Sequence, residues 1–380
     1  MTGNNGVGQV DAGSVVVICS SPNERGIHQY AKTLEANISD SVLIVCPWQP
    51  GYYLVWEMVG ILLSGKEISR YSHVFFSNTR ISPLLWPLLR KDRVTVVVHD
   101  LMDTSQETYK KINRFVLFRW IKITCNTVLI RQSVKRAGCV ISNSTYTKRR
   151  LEAWLKGSCP PVHVLHPPPS FKTVSEVRGV RMVELFDDRK EKVVKVLAIA
   201  GVTSNKALSD YFTWHKEVSR MTGKHVCLTL YGAQFSDLPV NQREYVVEMG
   251  RSINLKYRQS ESVLLQDYLA CDFLISLSNE EGFGIPVADA IGFGLKVVAR
   301  KIGAYEEQRS SEVGASNLRL GKDIRECCML TKDLIDEMKD FGPTYFIAEE
   351  RLDRYAGYIE RYQNSSRAIL SRVLTKSIEQ

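Results

Sequence analysis

Two carboxylates eight residues apart, Glu281 and Asp289, frame the stretch with the most chemical promise, SNEEGFGIPVADAIGFGLKVVAR at Ser278–Arg300. It follows FLISLS, an apolar run that reads as a strand. Gly282 and Gly284 stand just before Pro286, and proline suits the first turn of a helix. Gly282, Phe283 and Gly284 therefore bring backbone N–H groups to a helix N-terminus, where the free donors and the helix dipole attract anions such as phosphate. Glu281 falls in the loop, where it can accept hydrogen bonds from hydroxyls. Asp289 falls about one turn into the helix and is expected on the same ligand-facing side. Two carboxylates repel phosphate, so together they suit a polyol next to a phosphate. That is the description of a nucleotide sugar. The bland alternative is a strand–turn–helix with acids on its surface.

A site of this kind needs strands that end together. Short β-branched runs recur along the chain, each followed by a helix-length segment: SVVVIC, SVLIVC, HVFFSN, VTVVVH, CVISNS and VHVLHP in the first half, then KVLAIAG, VCLTLYG, INLKYR, FLISLS and LKVVAR. They are largely apolar rather than alternating, as in parallel strands covered on both faces. Strand–helix alternation predicts doubly wound sheets. The runs divide at Pro167-Pro168-Pro169 and the charged stretch DDRKEK that follows. The expected organisation is an α/β protein with an N-terminal Rossmann-like domain over residues 1–170, a linker over 171–192 and a C-terminal Rossmann-like domain over 193–351. A last helix over about 352–380 is expected to pack back on the first domain. The two domains are expected to face a central cleft, with ligands at the carboxyl ends of the strands.

The chain has 380 residues, 44% hydrophobic and 24% charged, which excludes a disordered or collagen-like polymer. Its apolar stretches fall short of the ~20 residues that span a bilayer. The first residues lack a basic stretch followed by an apolar core, which predicts no secretory leader and a cytoplasmic setting. The nine cysteines show no CxxC or Cys/His ligand spacing and are expected to be reduced thiols, with no metal site. The net charge of +9 is concentrated: residues 1–107 sum to −2, residues 151–380 to 0, and Thr108–Arg150 carries 11 Lys and Arg with no acid. Lys111, Arg114, Arg119 and Lys122 share one helical arc with Phe115 and Phe118. Three readings compete: a domain helix with a solvated basic edge, a surface for anionic lipid, and nucleic acid. The neutral balance of the rest argues against nucleic acid. An aromatic cluster, Trp48, Tyr52, Tyr53 and Trp56, fits core packing, an acceptor or a membrane equally well.

The Glu281–Asp289 segment resembles that of retaining glycosyltransferases of family 4, which have the GT-B fold and carry E-x7-E within EGFGLPxxEAxxxGxPVV. Here the motif stands as Glu281-x7-Asp289 with GFGIP at Gly282–Pro286. VVVHDL, then a basic helix, then CVISNSTYTKRRL looks like the family's "IHDL … A-D-x-I-I-T-V-S-x-x-T-K-x-x-L" passage. VHVLHPPPS is similar to the segment V-x-V-I-x-N-G, and RGIHQYAKTL resembles the glycine-containing loop and helix after the first strand. The likeness spans roughly Val15–Glu307.

The resemblance implies that Glu281 contacts the donor sugar and is catalytic, and that Asp289 binds ribose hydroxyls. It implies that Lys206, in the loop GVTSNKAL, holds the donor diphosphate. The arginine that usually follows the glycine is Val202, so Asn205 supplies a hydrogen bond or an arginine comes from elsewhere. His99, followed by Asp100, ends a strand of the first domain and is placed to bond donor sugar or acceptor; Gly26 and His28 are candidates for the same cleft. Ser144 reads as a helix N-cap. No DxD sequence occurs, which fits helix N–H groups and a lysine, rather than a divalent ion, offsetting the leaving charge. The expectation is a retaining, metal-independent hexosyltransferase, mannosyltransferase-like. It would use a GDP- or UDP-linked sugar and a glycan or lipid-linked acceptor in surface polysaccharide synthesis, peripheral on the cytoplasmic face of an anionic membrane. The rivals are a GT-B nucleotide-sugar hydrolase or epimerase, and a catalytically silent sugar-nucleotide-binding or scaffold protein.

Overall fold

Alternate residues of the apolar runs must be buried on opposite faces, and the computed structural model shows two sheets that do this. It describes residues 15–19, 26–38, 40–45, 68, 70–77, 86–99, 116–171, 193–338 and 345–378. Residues 1–168 with 362–380 form one compact unit, and residues 169–361 form a second.

In the first unit the strands are β1 (Val15–Cys19), β2 (Ser41–Val45), β3 (His73–Phe76), β4 (Val94–Val98), β5 (Cys139–Ser142) and β6 (Val162–Val164), in the order β2-β1-β3-β4-β5-β6. Every pairing is parallel; Val15, for example, stands opposite Ser41 on one side and His73 on the other. Val16, Val74, Val96 and Val140 pack into one core. Val15, Val17, Phe75, Val97 and Ile141 pack into another on the opposite face. Helices α1 (Gly26–Asn37), α2 (Val116–Arg136) and α3 (Thr145–Leu155) belong to this unit. Ser144 caps α3, its hydroxyl accepting from the N–H of Thr147 at 2.9 Å, as its position in the sequence suggests.

The second unit holds β7 (Val193–Ile199), β8 (His225–Tyr231), β9 (Ile253–Lys256), β10 (Phe273–Ser276), β11 (Lys296–Arg300) and β12 (Leu318–Gly321), in the order β12-β11-β10-β7-β8-β9, again all parallel. Its helices are α4 (Leu208–Thr222), α5 (Val240–Met249), α6 (Glu261–Ala270), α7 (Ile285–Gly292), α8 (Gly303–Arg309), α9 (Glu312–Asn317) and α10 (Ile324–Glu337). Leu197, Leu274, Val297 and Leu318 face one core, and Val196, Ala198, Phe273, Ile275 and Val298 face the other. Helix α11 (Tyr345–Ile378) serves both units in turn. Leu352, Tyr355 and Ile359 join a core of the second unit, while Leu370, Val373 and Leu374 join one of the first.

All eleven expected strands form. The twelfth, β12, was not expected: its LRLG sequence has no β-branched residue and carries Arg319, so its pairing with β11 at the sheet edge defines it. Strand order reverses in both sheets beside the first strand of the unit, between β1 and β3 and between β7 and β10. Such a reversal opens a crevice at the carboxyl ends of the two strands, because their following helices go to opposite faces.

The expected linker, apart from Phe171, lies outside the described residues. So do Trp48, Tyr52, Tyr53, Trp56, Asp100, Lys111, Arg114 and Phe115, and the side chains of Phe118, Arg119, Trp120 and Lys122. Among the described residues no helix is long and apolar enough to cross a membrane.

Candidate functional site

The reversal in the second sheet lies between β7 and β10, and the loops after these two strands carry Lys206 and Glu281. Lys206 ends a single 3₁₀ turn, Ser204–Lys206, and Glu281 lies between β10 and α7. Lys206 Nζ donates to Glu281 Oε1 at 2.5 Å, with the two side chains 24% and 12% exposed. The two groups expected to serve different parts of a ligand thus hold each other.

Polar bonds stitch the two loops together. The N–H of Asn279 donates to the carbonyl of Asn205 at 2.7 Å, and Asn205 Nδ2 donates to the carbonyl of Glu280 at 3.3 Å. Arg300, at the end of β11, donates through Nη1 to the side chain of Asn279 and through Nη2 to Asp210 of α4 at 2.5 Å. Two buried tyrosines hold the end of β10. The N–H of Leu277 donates to the Tyr211 hydroxyl at 2.9 Å, and the hydroxyls of Ser276 and Tyr305 are 2.7 Å apart. Arg300, Asp210, Asn279, Tyr211 and Tyr305 have no signature in the sequence, since each acts through a partner 20 or more positions away.

The glycine turn is also specified from a distance. Gly284 is the N-cap of α7 at φ 86°, and a Cβ there would lie 2.3 Å from Cε1 of Tyr305, so both backbone and neighbour demand glycine. Gln308, a residue the sequence reading missed, donates from Nε2 to the carbonyls of Phe283 at 2.6 Å and Gly284 at 3.3 Å. It thereby fixes the peptide planes of the turn. Helix α7 begins at Ile285, with Pro286 second. Ala207, directly after Lys206, adopts φ 48°, a left-handed setting that a methyl-bearing residue reaches at a cost of roughly 1 kcal/mol. The Lys206 turn is thus bounded by a strained residue. Val202, where the family resemblance implies an arginine, is 57% exposed.

Asp289 lies in the core and not on a ligand-facing side. It was expected to present its carboxylate to a ligand from the side of α7, but it is 0% exposed. Val287, Ala288, Ala290 and Ile291 around it are buried as well, so this stretch of α7 has no solvent face. Oδ1 accepts from the Tyr355 hydroxyl at 2.7 Å and from the N–H of Ser170 at 3.3 Å, and Oδ2 accepts from the Ser170 hydroxyl at 2.5 Å. Burial pushes its pKa up to about 6, against the opposing pull of these hydrogen bonds.

In the first unit His99 follows β4. Its Nε2 donates to the carbonyl of Ser77 at 2.8 Å, and its ring meets Tyr30 edge-on at 4.9 Å. Burial lowers its pKa to about 4, so the ring is neutral above that pH. With the proton on Nε2, Nδ1 is an acceptor. His28 is 2% exposed in α1, a packed position rather than the presented one expected of it, and Gly26 is the first residue of the same helix. The structure therefore brings Asn205, Lys206, Glu281 and the Gly282–Gly284 turn together, and puts Asp289 in the core beneath them. Among the described residues no group of three or more His, Cys, Asp and Glu side chains is arranged to hold a metal ion.

Neither a protein-family profile nor a curated protein sequence matches the chain. Solved structures do. Sucrose-phosphate synthase from Thermosynechococcus elongatus superposes with a TM-score of 0.64 at 12% identity, over 93% of this chain and 97% of that one. Anabaena HepE in complex with UDP gives 0.61 at 12% identity, over 96% and 99%. WaaG, a glycosyltransferase involved in lipopolysaccharide biosynthesis, gives 0.60 at 11% identity, over 95% and 98%. The chain covers 57% of the length of the chain it matches in the GtfA/B complex. At these identities the likeness establishes the fold: a two-domain α/β GT-B architecture, as the sequence motifs led one to expect.

Proposed function

We propose that this protein is a GT-B glycosyltransferase that transfers a sugar from a nucleotide sugar to a hydroxyl acceptor. The observation that carries this reading is the Lys206–Glu281 pair, on the two loops that flank the strand-order reversal and next to the Gly282–Gly284 turn. A cation and a helix N-terminus there suit the diphosphate. The carboxylate of Glu281 suits the hydroxyls and developing positive charge of the sugar. Lys206 and the turn stabilise the leaving diphosphate as its bond to the anomeric carbon breaks, which is electrostatic catalysis by groups already in place. His99, neutral and with Nδ1 accepting, contributes a hydrogen bond to a hydroxyl rather than a proton. Asp289 acts indirectly, by anchoring α7 from within.

The finer reading is a retaining, metal-independent transfer of a mannose-like sugar from a UDP- or GDP-linked donor to a lipid-linked glycan. It would act at the cytoplasmic face of an anionic membrane, in surface polysaccharide synthesis. The acid-free charge of Thr108–Arg150 supports the membrane setting, and the likeness to WaaG, a glycosyltransferase involved in lipopolysaccharide biosynthesis, supports the polysaccharide role. Complexes of HepE with UDP support a uridine donor. The test is a donor screen with the purified protein, scoring nucleoside diphosphate release with and without a membrane lipid extract. Release that requires the extract supports transfer, and release without any acceptor supports a hydrolase. A second reading, a silent binder, draws on the burial of Asp289 and on Val202. It predicts binding with no release under any condition.

A further inference from the structure

Lys206 and Glu281 face each other at 2.5 Å, mostly withdrawn from solvent, on loops that their neighbours hold in place. Arg300, the cation on the adjacent strand end, is already committed to Asp210 and Asn279. On the two described loops after β7 and β10, Lys206 is thus the cation that an arriving anion contests. This inference rests on the transferase reading above, in which the same two groups serve the diphosphate and the sugar. A diphosphate that takes Lys206 must separate it from Glu281. It then leaves a carboxylate, 12% exposed, without its cation, and adds negative charge beside it. Removing one partner of a buried pair costs more than the pair contributes, because the remaining charge stays desolvated. A bare nucleoside diphosphate has no donor near its terminal phosphate with which to satisfy that carboxylate. A nucleotide sugar has several hydroxyls there.

We propose that Glu281 is a specificity-determining residue that makes anion binding at Lys206 conditional on an attached sugar. When the full donor binds, sugar hydroxyls replace Lys206 as donors to Glu281, and Lys206 turns to the diphosphate. When the sugar has left, Glu281 loses those donors, takes Lys206 back and weakens the hold on the product. One ion pair therefore favours donor over product and hastens product release.

The experiment measures binding of UDP, GDP, ADP and dTDP to the full-length wild-type protein by calorimetry. The tightest of these is then titrated into Glu281→Gln, Lys206→Met and the double variant, with ligand-observed NMR to reach weak affinities. The expected result is that E281Q binds the diphosphate at least about fivefold tighter than wild type, yet changes affinity by less than about twofold in the K206M background. E281Q should also lose the wild-type preference for the nucleotide sugar over the bare diphosphate. Glu281→Ala carries the same expectations should the glutamine variant melt early. Equal tightening in both backgrounds means simple charge repulsion and overturns the inference. Unchanged or weaker diphosphate binding in E281Q and E281A also overturns it, and in both cases the donor reading survives. If neither the wild type nor E281Q binds any of the four diphosphates, the donor reading and this inference fall together.

Discussion

The described residues that follow β4 in the first sheet and those at the ends of β7, β10 and β11 in the second differ in charge. Beyond β4 of the first unit the described polar group is one imidazole, neutral and bonded to a backbone carbonyl. At the ends of β7, β10 and β11 of the second unit stand ion pairs, among them Lys206 with Glu281 and Arg300 with Asp210. A neutral hydrogen-bonding group can orient a hydroxyl but cannot balance a departing diphosphate. A paired cation can, once its partner is given something else to hold. In the proposed reading, Lys206 of the second unit meets the departing charge and His99 of the first orients a hydroxyl.

The largest break in that contrast should come from Glu281→Gln. Turnover is expected to fall by about 10²–10³, as for loss of one preorganised electrostatic group, while the variant remains folded at the assay temperature. Product-release assays together with a thermal scan read both.

A break of similar weight, but in stability instead of rate, is expected at Asp289. Its carboxyl titrates near 6 when folded and near 3.8 when unfolded, so the folded state holds the proton more tightly. The resulting stabilisation is complete below about pH 3.8 and is lost as the pH rises through 6. The change amounts to about 3 kcal/mol at most. Urea midpoints across pH 4–7 should show the stability of wild type relative to Asp289→Asn falling by that amount. Diphosphate affinity of the variant should stay within about threefold of wild type, since Asp289 is enclosed in the core and cannot reach a ligand as folded.

Lys206→Met should weaken nucleoside diphosphate binding by about tenfold or more, the worth of one charged hydrogen bond. Weaker binding that leaves the salt dependence of affinity unchanged would move the phosphate elsewhere. The smallest effect should come from the first unit: His99→Asn is expected to lower turnover about tenfold, with no change in pH profile between 5 and 8. The wild-type imidazole, titrating near 4, stays neutral across that range. A wild-type inflection near pH 6.5 that vanishes in the variant would make His99 a proton carrier and erase the contrast.

What could be read in the sequence follows the range of the interactions. Strand runs and the Gly284–Pro286 turn depend on residues next to one another, and eleven strands and the helix start were legible. The face on which Asp289 lies depends on Ser170 and Tyr355, 119 and 66 positions away, so its eight-residue spacing from Glu281 misled. The same holds for Arg300. In LKVVAR it reads as a strand end, and only the fold brings it to Asn279 and Asp210. Strand β12 lacked the β-branched residues that mark a strand locally, and it exists because β11 offered it an edge.

Ala207 sets the molecule's interests against one another. Its left-handed backbone is a local debt that glycine would cancel, at the expense of added freedom in the unfolded chain and in the turn beside Lys206. Strain of this kind persists only where the surroundings enforce it. The two effects of an Ala207→Gly change nearly cancel in stability, so heat resistance alone hardly distinguishes the residues. The stiffness of the turn beside Lys206 does, and a lineage that keeps the alanine reports selection on that turn.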